Sequence, residues 1–389
     1  VQADLNTSGL NKVIKAFIRQ GSQDRIDLPS FDFVIKGQFL VGTLKQRLED
    51  CEVSFESLVE IEYLERQPPP TPKDSLHHDD WVAALNTIPL GRAHTLTIPA
   101  HRAPVKSVTW VHTDSPTKTF ISTSIDQTAV VWVWQSETNT VECISECRGH
   151  TQSVECVAVD LKQELFATGS WDNMLKIWSV GKGASLTLLS GEKGGQDEED
   201  EEEQKKKRRA AKKPQKKTPI ITLAGHSESV GGVVWTGDNE VATASWDHSL
   251  RVWDTEIGGV KSQINGNNAF FTVSWSPLSR LLLTGCADRF IRMYDPRITD
   301  GSIVQQKFTS HTKWVPSVRW STTKEHLFVS GGYDKLVKFW DCRRYAPLYD
   351  LCGHQDKILV VDWSNPSYIV SGSSDCTAKV FSSEGKCNV

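Results

Sequence analysis

The sequence predicts a mainly-β fold, in which small antiparallel sheets recur along the chain after a smaller mixed unit. Six similar segments span most of the 389 residues, and each has an Asp six residues before a large aromatic residue. The chain holds 14 Trp against 2 Met, which suggests that Trp occupies a repeated structural position. Runs rich in β-branched and aromatic residues, such as 107–110 and 359–363, lie between these marks and are typical of strands.

The first 66 residues differ from the rest and predict a separate unit. Apolar residues recur at helical spacing from Leu10 to Ile18, and residues 31–40 predict a hairpin. A short helix at 43–49 and an alternating strand at 59–64 follow. This is the element order of the second half of a β-grasp, ubiquitin-like fold. Because the leading hairpin of that fold is missing, we expect an N-terminally truncated ubiquitin-like domain over residues 1–66.

A proline-rich stretch over residues 67–75 predicts a stiff linker between this unit and the repeats. The repeats occupy residues 76–389. His78 to Val82 resembles the start of a repeat, yet the next one begins at His101, only 23 residues later. That distance accommodates a first and a last strand but not the two between them. We therefore expect six complete repeats and one incomplete repeat at the front.

A His precedes the Asp in every complete repeat except the one that ends at Tyr294. The five His-to-Asp separations are 25, 22, 21, 23 and 21 residues. This is the pattern of WD repeats, which fold as the four-stranded blades of a WD40 β-propeller. A polar residue that recurs once per blade is structural, so we expect a buried hydrogen-bond network rather than a catalytic group. The predicted members are His101, Asp126, Trp132, His150, Asp172, Trp178, His226, Asp247, Trp253, His311, Asp334, Trp340, His354 and Asp375.

An insertion interrupts the repeats over residues 190–218. The aromatic residues that end successive repeats are 46, 75, 41, 46 and 41 residues apart, and the long interval contains an acidic block at 197–203 and a basic block at 205–217. Such charge blocks predict disorder. Three interpretations stay open: a solvated loop, an RNA-contacting arm, and a nuclear-import signal, which the two basic clusters favour. The import residues would be Lys205, Lys206, Lys207, Arg208, Arg209, Lys212, Lys213, Lys216 and Lys217.

Composition and motifs argue against several functional classes. The chain has 44 Lys and Arg against 48 Asp and Glu, a balance unlike that of a protein that coats nucleic acid. It has no apolar run of membrane-spanning length, and its 9 Cys include no C-x-x-C pair. It also lacks a Gly-rich phosphate loop, an HExxH motif and a nucleophile signature. We predict that the chain is not an enzyme and holds neither a cofactor nor a metal by itself.

Three segments outside the WD marks, residues 31–40, 53–63 and 78–81, identify a more specific relationship. With the charged insertion, they resemble the WD-repeat ribosome-biogenesis factors of the Pescadillo complex, the Ytm-type family, whose propeller is seven-bladed. The resemblance implies a scaffold for assembly of the large (60S) ribosomal subunit and for rRNA maturation. It also implies a nuclear location, in the nucleolus and nucleoplasm.

The same resemblance implies a set of partners. The propeller would bind the block-of-proliferation WD-repeat protein, which in turn holds Pescadillo, on pre-60S particles. The ubiquitin-like domain would dock on the Mg²⁺-bound adhesion-type domain of midasin, a giant AAA ATPase. The family's motif falls on Ser54-Phe55-Glu56, so the resemblance assigns to Glu56 the carboxylate that completes the partner's metal site.

Two aromatic residues in the predicted turns are candidates for an interaction surface. Trp171 and Trp246 directly precede the turn residues Asp172 and Asp247, and aromatic residues are enriched at interface hot spots. Packing between neighbouring blades is the other explanation for them. The alternative to an assembly factor is a substrate receptor of a ubiquitin ligase or a histone-tail reader, since many propellers do such work.

Overall fold

A computed structural model describes residues 4–21, 28–50, 59–87, 96–113, 116–181, 214–298 and 304–383. Strands dominate these residues, which include two α-helices, so the predicted mainly-β fold is confirmed. Neither helix in this part of the chain has the length and apolar character that a membrane span requires.

The N-terminal unit consists of a small sheet and two helices, one before and one after its hairpin in the sequence. Its elements are α1 (Thr7–Gly21), β1 (Phe31–Ile35), β2 (Gln38–Phe39), α2 (Leu44–Asp50) and β3 (Glu62–Glu65). The strands pair antiparallel in the order β2-β1-β3. The predicted helices and hairpin are confirmed, whereas the last strand begins at residue 62 rather than 59.

Local sequence explains these elements. Asn6 caps α1, because its side-chain oxygen accepts a hydrogen bond from the Gly9 amide at 3.0 Å. Lys36 and Gly37 both adopt positive φ, as a two-residue hairpin turn of this type requires. Burial of apolar side chains from both helices and the sheet then stabilises the unit. Its core residues are Leu10, Phe31, Phe33, Ile35, Leu40, Leu44 and Leu48.

Six further sheets make up the propeller, and their strands follow one another along the chain after β4 (Thr71–His77). The first two sheets contain β5 (Val105–His112), β6 (Thr117–Ser124), β7 (Thr128–Gln135), β8 (Thr140–Arg148), β9 (Val154–Val159), β10 (Leu165–Ser170), β11 (Met174–Ser179), β12 (Gln215–Lys217) and β13 (Ile221–Ala224). The third and fourth contain β14 (Val230–Trp235), β15 (Glu240–Ser245), β16 (Ser249–Asp254), β17 (Gly259–Asn265), β18 (Phe270–Ser276), β19 (Leu281–Cys286), β20 (Ile291–Tyr294) and β21 (Val304–Phe308). The last two contain β22 (Ser317–Trp320), β23 (Leu327–Gly331), β24 (Val337–Asp341), β25 (Tyr349–Leu351), β26 (Ile358–Asp362), β27 (Tyr368–Ser373) and β28 (Thr377–Ser382).

The first strand of each sheet lies innermost. Contacts run from β5 to β9, from β9 to β14, and onward through β18 and β22 to β26. Apolar side chains fill the space between neighbouring sheets, and the large aromatic residues Trp178, Trp253 and Trp340 are fully buried there. The hydrophobic core is therefore distributed around the ring rather than concentrated at one centre.

Strand β4 completes the sixth sheet, in which the order is β26-β27-β28-β4. It pairs antiparallel with β28 and places Ser75 opposite Lys379. The predicted linker over residues 67–75 is therefore wrong from residue 71 onward. Because β4 is an edge strand, its Pro72 is tolerated at a register shift in the ladder. The start and end of the propeller are thus joined in one sheet.

Residues 82–87 run extended between the sixth and first sheets. The Asn86 carbonyl accepts a hydrogen bond from Trp110 Nε1 at 3.2 Å on the side of the first sheet. On the other side, the amide and hydroxyl of Thr87 donate to Asp362 Oδ2 at 2.8 and 2.6 Å. This segment occupies the inner position of a seventh blade. In the described part of the chain, the propeller has six complete sheets and this single segment, as the repeat spacing predicts.

The predicted disordered insertion, 190–218, lies outside the described residues up to residue 213. Its last residues are ordered, and for them the prediction of disorder is wrong. Gln215–Lys217 forms β12, which pairs parallel with β8 as a fifth strand of the first sheet. Lys217 anchors this strand, because its ammonium donates to the carbonyls of Ser179 and Val180 at 2.9 Å each.

Candidate interaction surface

A four-residue network in the third sheet shows what the repeated residues do. His226 Nδ1 lies 2.8 Å from Asp247 Oδ2, and His226 Nε2 lies 2.7 Å from Thr243 Oγ1. Trp253 Nε1 donates to the same hydroxyl at 2.7 Å. The network therefore links the loop before β14, the turn after β15, strand β15 itself and strand β16.

The same geometry recurs in four other sheets. The His-to-Asp distances are 3.0 Å for His101–Asp126, 2.8 Å for His150–Asp172, 2.9 Å for His311–Asp334 and 2.9 Å for His354–Asp375. The hydroxyl members were not predicted from the sequence, although they lie ten residues before each aromatic residue and could have been found by that spacing. They are Ser122, Thr168, Thr243, Ser330 and Ser371.

Trp132, Trp178 and Trp340 close their networks as Trp253 does, with Nε1-to-hydroxyl distances of 2.8 Å in each case. In the fourth sheet, which lacks the His, the Asp of the turn has a different hydrogen-bond partner. Asp288 there accepts hydrogen bonds from Arg292, one of them at 3.1 Å, and Tyr294 is buried at the aromatic position. An intrablade ion pair thus replaces the histidine.

Electrostatics favour a structural role for these groups. Burial raises the pKa of the Asp247 carboxyl, but hydrogen bonds from His226 and Ser249 outweigh it, so the net pKa lies below its ordinary value. Burial also lowers the pKa of His354 despite its Asp375 partner. The His226 side chain is 0% exposed and that of Asp247 is 5% exposed, so neither offers a surface to a substrate.

The two candidate interface residues lie side by side on the surface. Trp171 is 44% exposed and Trp246 is 38% exposed, and their ring centroids are 5.9 Å apart. Trp246 in turn contacts Phe271 at 5.7 Å, and Phe271 contacts Trp314 at 5.4 Å. Tyr333 follows at 5.7 Å from Trp314. We call these five residues the aromatic arc.

The aromatic arc belongs to neighbouring sheets and bends around the inner strands. Its Trp residues directly follow β10 and β15 or precede β22, at the end of the sheets where the Asp turns lie. Gly231 makes one of the contacts possible, because a Cβ there would lie 3.2 Å from Trp246 Nε1 and 2.8 Å from the Phe271 carbonyl. Beyond Tyr333, the Lys357 ammonium lies 5.4 Å from the Tyr333 ring and 4.7 Å from the ring of Trp81.

A cavity of about 350 Å³ opens inside the arc. Residues from the first strands of all six sheets and from the 82–87 segment line it, which makes it the central channel of the propeller. Trp246, Phe271, Trp314 and Tyr333 form part of its wall, together with Trp81. Only Trp171 and Trp246 were predicted from the sequence. Tyr333 directly precedes Asp334 and could have been found by the same rule, whereas Phe271 and Trp314 do not precede a turn Asp.

The remaining predicted site residues are Glu56 and the basic residues of the import signal. Glu56 lies outside the described residues, as do the import residues Lys205, Lys206, Lys207, Arg208, Arg209, Lys212 and Lys213. Lys216 is exposed, whereas Lys217 is held by the two carbonyls described above and burial lowers its pKa. Lys217 therefore has a structural role in β12. Within the described ranges, no cluster of His, Cys, Asp and Glu could hold a metal ion.

Comparison with known proteins agrees with this architecture. The family "WD domain, G-beta repeat" matches six segments, residues 92–133, 141–179, 217–254, 259–295, 302–341 and 345–382. These ranges follow the six complete sheets.

Full-length relatives carry a more specific name. "Ribosome biogenesis protein WDR12 homolog" of Culex quinquefasciatus is 43% identical over 401 residues, covering 99% of this chain and 91% of the relative. The protein of that name from Ixodes scapularis is 45% identical over 392 residues, covering 96% and 91%. The one from Drosophila erecta is 44% identical over 407 residues, covering 98% and 90%. The chain therefore belongs to the WDR12-homologue family of WD-repeat ribosome biogenesis proteins.

Proposed function

We propose that this protein is a non-enzymatic scaffold for assembly of the large (60S) ribosomal subunit and for rRNA maturation. It acts on pre-60S particles in the nucleolus and nucleoplasm. The observation that carries the proposal is the similarity to ribosome biogenesis proteins over 99% of the chain. The paired and buried polar groups of the blades support a binding role rather than catalysis.

The propeller supplies the attachment to the assembly complex. It binds the block-of-proliferation WD-repeat protein and, through it, Pescadillo. A ring of six complete sheets, with the 82–87 segment between the sixth and the first, is a stiff platform that presents loops on two broad faces. The N-terminal unit has its own buried core, so it is a second binding module on the same chain.

The N-terminal unit docks on the Mg²⁺-bound adhesion-type domain of the midasin ATPase. Glu56, which lies in sequence between α2 and β3, offers the carboxylate oxygen that completes the coordination of the cation. A hard cation such as Mg²⁺ takes carboxylate ligands. The chain thus connects a remodelling ATPase with the complex held by the propeller.

Glu56→Ala tests this assignment, and Glu60→Ala is its matched control because Glu60 is an exposed carboxylate four residues away. We expect Glu56→Ala to abolish Mg²⁺-dependent capture of midasin while the propeller partners still bind. Glu60→Ala retains both. Capture of midasin by Glu56→Ala at wild-type strength would show that the assignment is wrong.

Sedimentation of the tagged protein tests the broader proposal. We expect it to migrate with pre-60S particles. Co-purification with ubiquitin-ligase scaffolds or histone tails, without such particles, would favour the alternative of a substrate receptor or histone reader.

Nuclear import by the basic block is tested by replacing Lys205–Lys213 cations with Ser. Lys216 and Lys217 are left in place, so that β12 keeps its anchor. We expect nuclear accumulation to be lost, and unchanged accumulation would contradict the import role.

A further inference from the structure

We propose that the mouth of the central channel binds an extended acidic peptide segment, with apolar side chains of that segment resting on the aromatic arc. The binding site proposed here lies on one face of the propeller. It requires none of the partner identities proposed above.

The arc has the composition of an interface hot spot. Trp314 is 50% exposed, Trp81 next to Lys357 is 58% exposed, and Trp171 and Trp246 are 44% and 38% exposed. Large aromatic residues on the surface lose little rotamer entropy on binding and are enriched at the centres of interfaces. Contiguous exposed aromatics on one face indicate a binding site, whereas single exposed apolar residues are ordinary.

The charge around the mouth selects an anionic ligand. Lys106, Arg319 and Lys357 line the channel, and Arg289 and Lys313 line the adjoining cavity next to Trp314 and Tyr333. The described residues that line these two cavities include those five cations and one carboxylate. That carboxylate, Glu155, already pairs with Lys106 at 3.1 Å. The lining of these two cavities therefore has a net positive charge, although the whole chain has a net charge of −4.

The geometry of the arc favours a peptide over a single-stranded nucleic acid. Neighbouring rings contact one another at tilted or edge-on angles of 33° to 77° with centroids 5.4 to 5.9 Å apart. No slot is open between them for an inserted base, and successive bases need separate stacking faces. The arc is a continuous apolar rim, which suits aliphatic and aromatic side chains. Acidic residues of the same segment reach the cations inside the rim.

The mouth also has room for such a segment. The cavity of about 350 Å³ falls within the range of pockets that accept small ligand groups, so one or two side chains can enter it. The remainder of the segment lies across the opening, in contact with the arc and with Lys357, which lies next to the arc at Tyr333.

Selection of a random 12-residue peptide library on the immobilised full chain tests the proposal. We expect the enriched peptides to combine Asp or Glu with aromatic or large aliphatic residues. Synthetic enriched peptides are then measured by fluorescence anisotropy, and we expect their affinity to fall with salt, as charge attraction requires.

Three variants locate the site. Trp314→Ala and the double variant Lys313→Glu/Lys357→Glu should each weaken binding at least about tenfold, because they remove an anchor and invert the charge. Tyr368→Ala is the matched control: Tyr368 is an exposed aromatic residue at the end of β27 remote from the Asp375 turn. Thermal unfolding of all variants confirms that they fold.

Several results would overturn the proposal. They are an absence of enrichment, enriched peptides without acidic residues, and wild-type affinity of the Trp314→Ala variant. A 12-nucleotide oligouridine is measured in parallel. If it binds more tightly than the peptides, and Trp314→Ala abolishes its binding, the mouth is an RNA site instead.

Discussion

Replacing His226 by Ala removes the centre of the network in the third sheet. The ring makes one contact with the Asp247 carboxylate at 2.8 Å and one with the Thr243 hydroxyl at 2.7 Å. It also packs edge-on against Trp253, with ring centroids 5.7 Å apart. A third, longer contact joins its Nδ1 to the Ser249 hydroxyl at 3.2 Å. The substitution therefore removes these contacts and leaves a cavity beside a buried carboxylate.

The contacts set the expected magnitude. A hydrogen bond to a charged group contributes about 1.5–3 kcal/mol, and one to a neutral hydroxyl about 1 kcal/mol. Asp247 keeps its bonds from the amides of Ser227 and Ser249, and Thr243 keeps its bond from Trp253, so neither loses all partners. We expect the free energy of unfolding to fall by about 3 kcal/mol, including the cavity.

Urea unfolding, followed by Trp fluorescence, measures the effect. His248→Asn is the matched control because His248 is an exposed imidazole beside the same Asp, and Asn tolerates its positive φ of 65°. We expect the control to change the free energy by less than about 0.5 kcal/mol. Equal effects of the two variants would refute the view that the network stabilises the blade.

Three further outcomes follow from the structure. Thr87→Val removes the hydroxyl that donates to the fully buried Asp362 at 2.6 Å. We expect the free energy of unfolding, measured in urea, to fall by about 1–3 kcal/mol. An unchanged urea midpoint would show that the 82–87 segment does not hold the ring closed. Burial raises the pKa of the Asp375 carboxyl, but its hydrogen bonds hold the net pKa below the unfolded value. The stability that the ionised Asp375 carboxylate contributes is therefore present above about pH 4 and is lost as the pH falls toward the folded pKa. The thermal midpoint should drop between about pH 5 and 3, and it should drop less steeply in Asp375→Asn. Burial raises the pKa of the Cys286 thiol to about 11. In the native protein, iodoacetamide should therefore label the exposed Cys352 much faster than Cys286, as measured by mass spectrometry. Comparable rates would contradict the burial of Cys286.

The repeat arithmetic was sufficient to predict the blades and most of their networks. His226, Asp247 and Trp253 recur at fixed separations, so alignment of the repeats brings them together without a structure. Thr243 was missed because Ser and Thr are common in strands, so a single one carries little signal. Only its distance of ten residues from Trp253, which recurs in the other repeats, could have identified it from the sequence.

Features that depend on distant parts of the chain were not predictable in this way. Strand β4 has a polar sequence with a proline, and only its pairing with β28 makes it a strand. The aromatic arc is similar: Trp171 and Trp246 are marked by neighbouring Asp residues, but Phe271 and Trp314 join them through the curvature of the ring. Local periodicity contains no information about contacts between residues that are distant in sequence.

The pairing of β4 with β28 also has a consequence in time. Ser75 and Lys379 meet in this sheet although they are 304 residues apart in sequence. At about 5–20 residues per second, the ribosome needs roughly 15–60 s to synthesise the intervening chain. During that interval β4 has no partner strand, and contacts of such long sequence separation form slowly even afterwards. Newly made chains therefore pass through a long-lived open state, in which β4 has no sheet to join and its unpaired backbone needs protection from other strands.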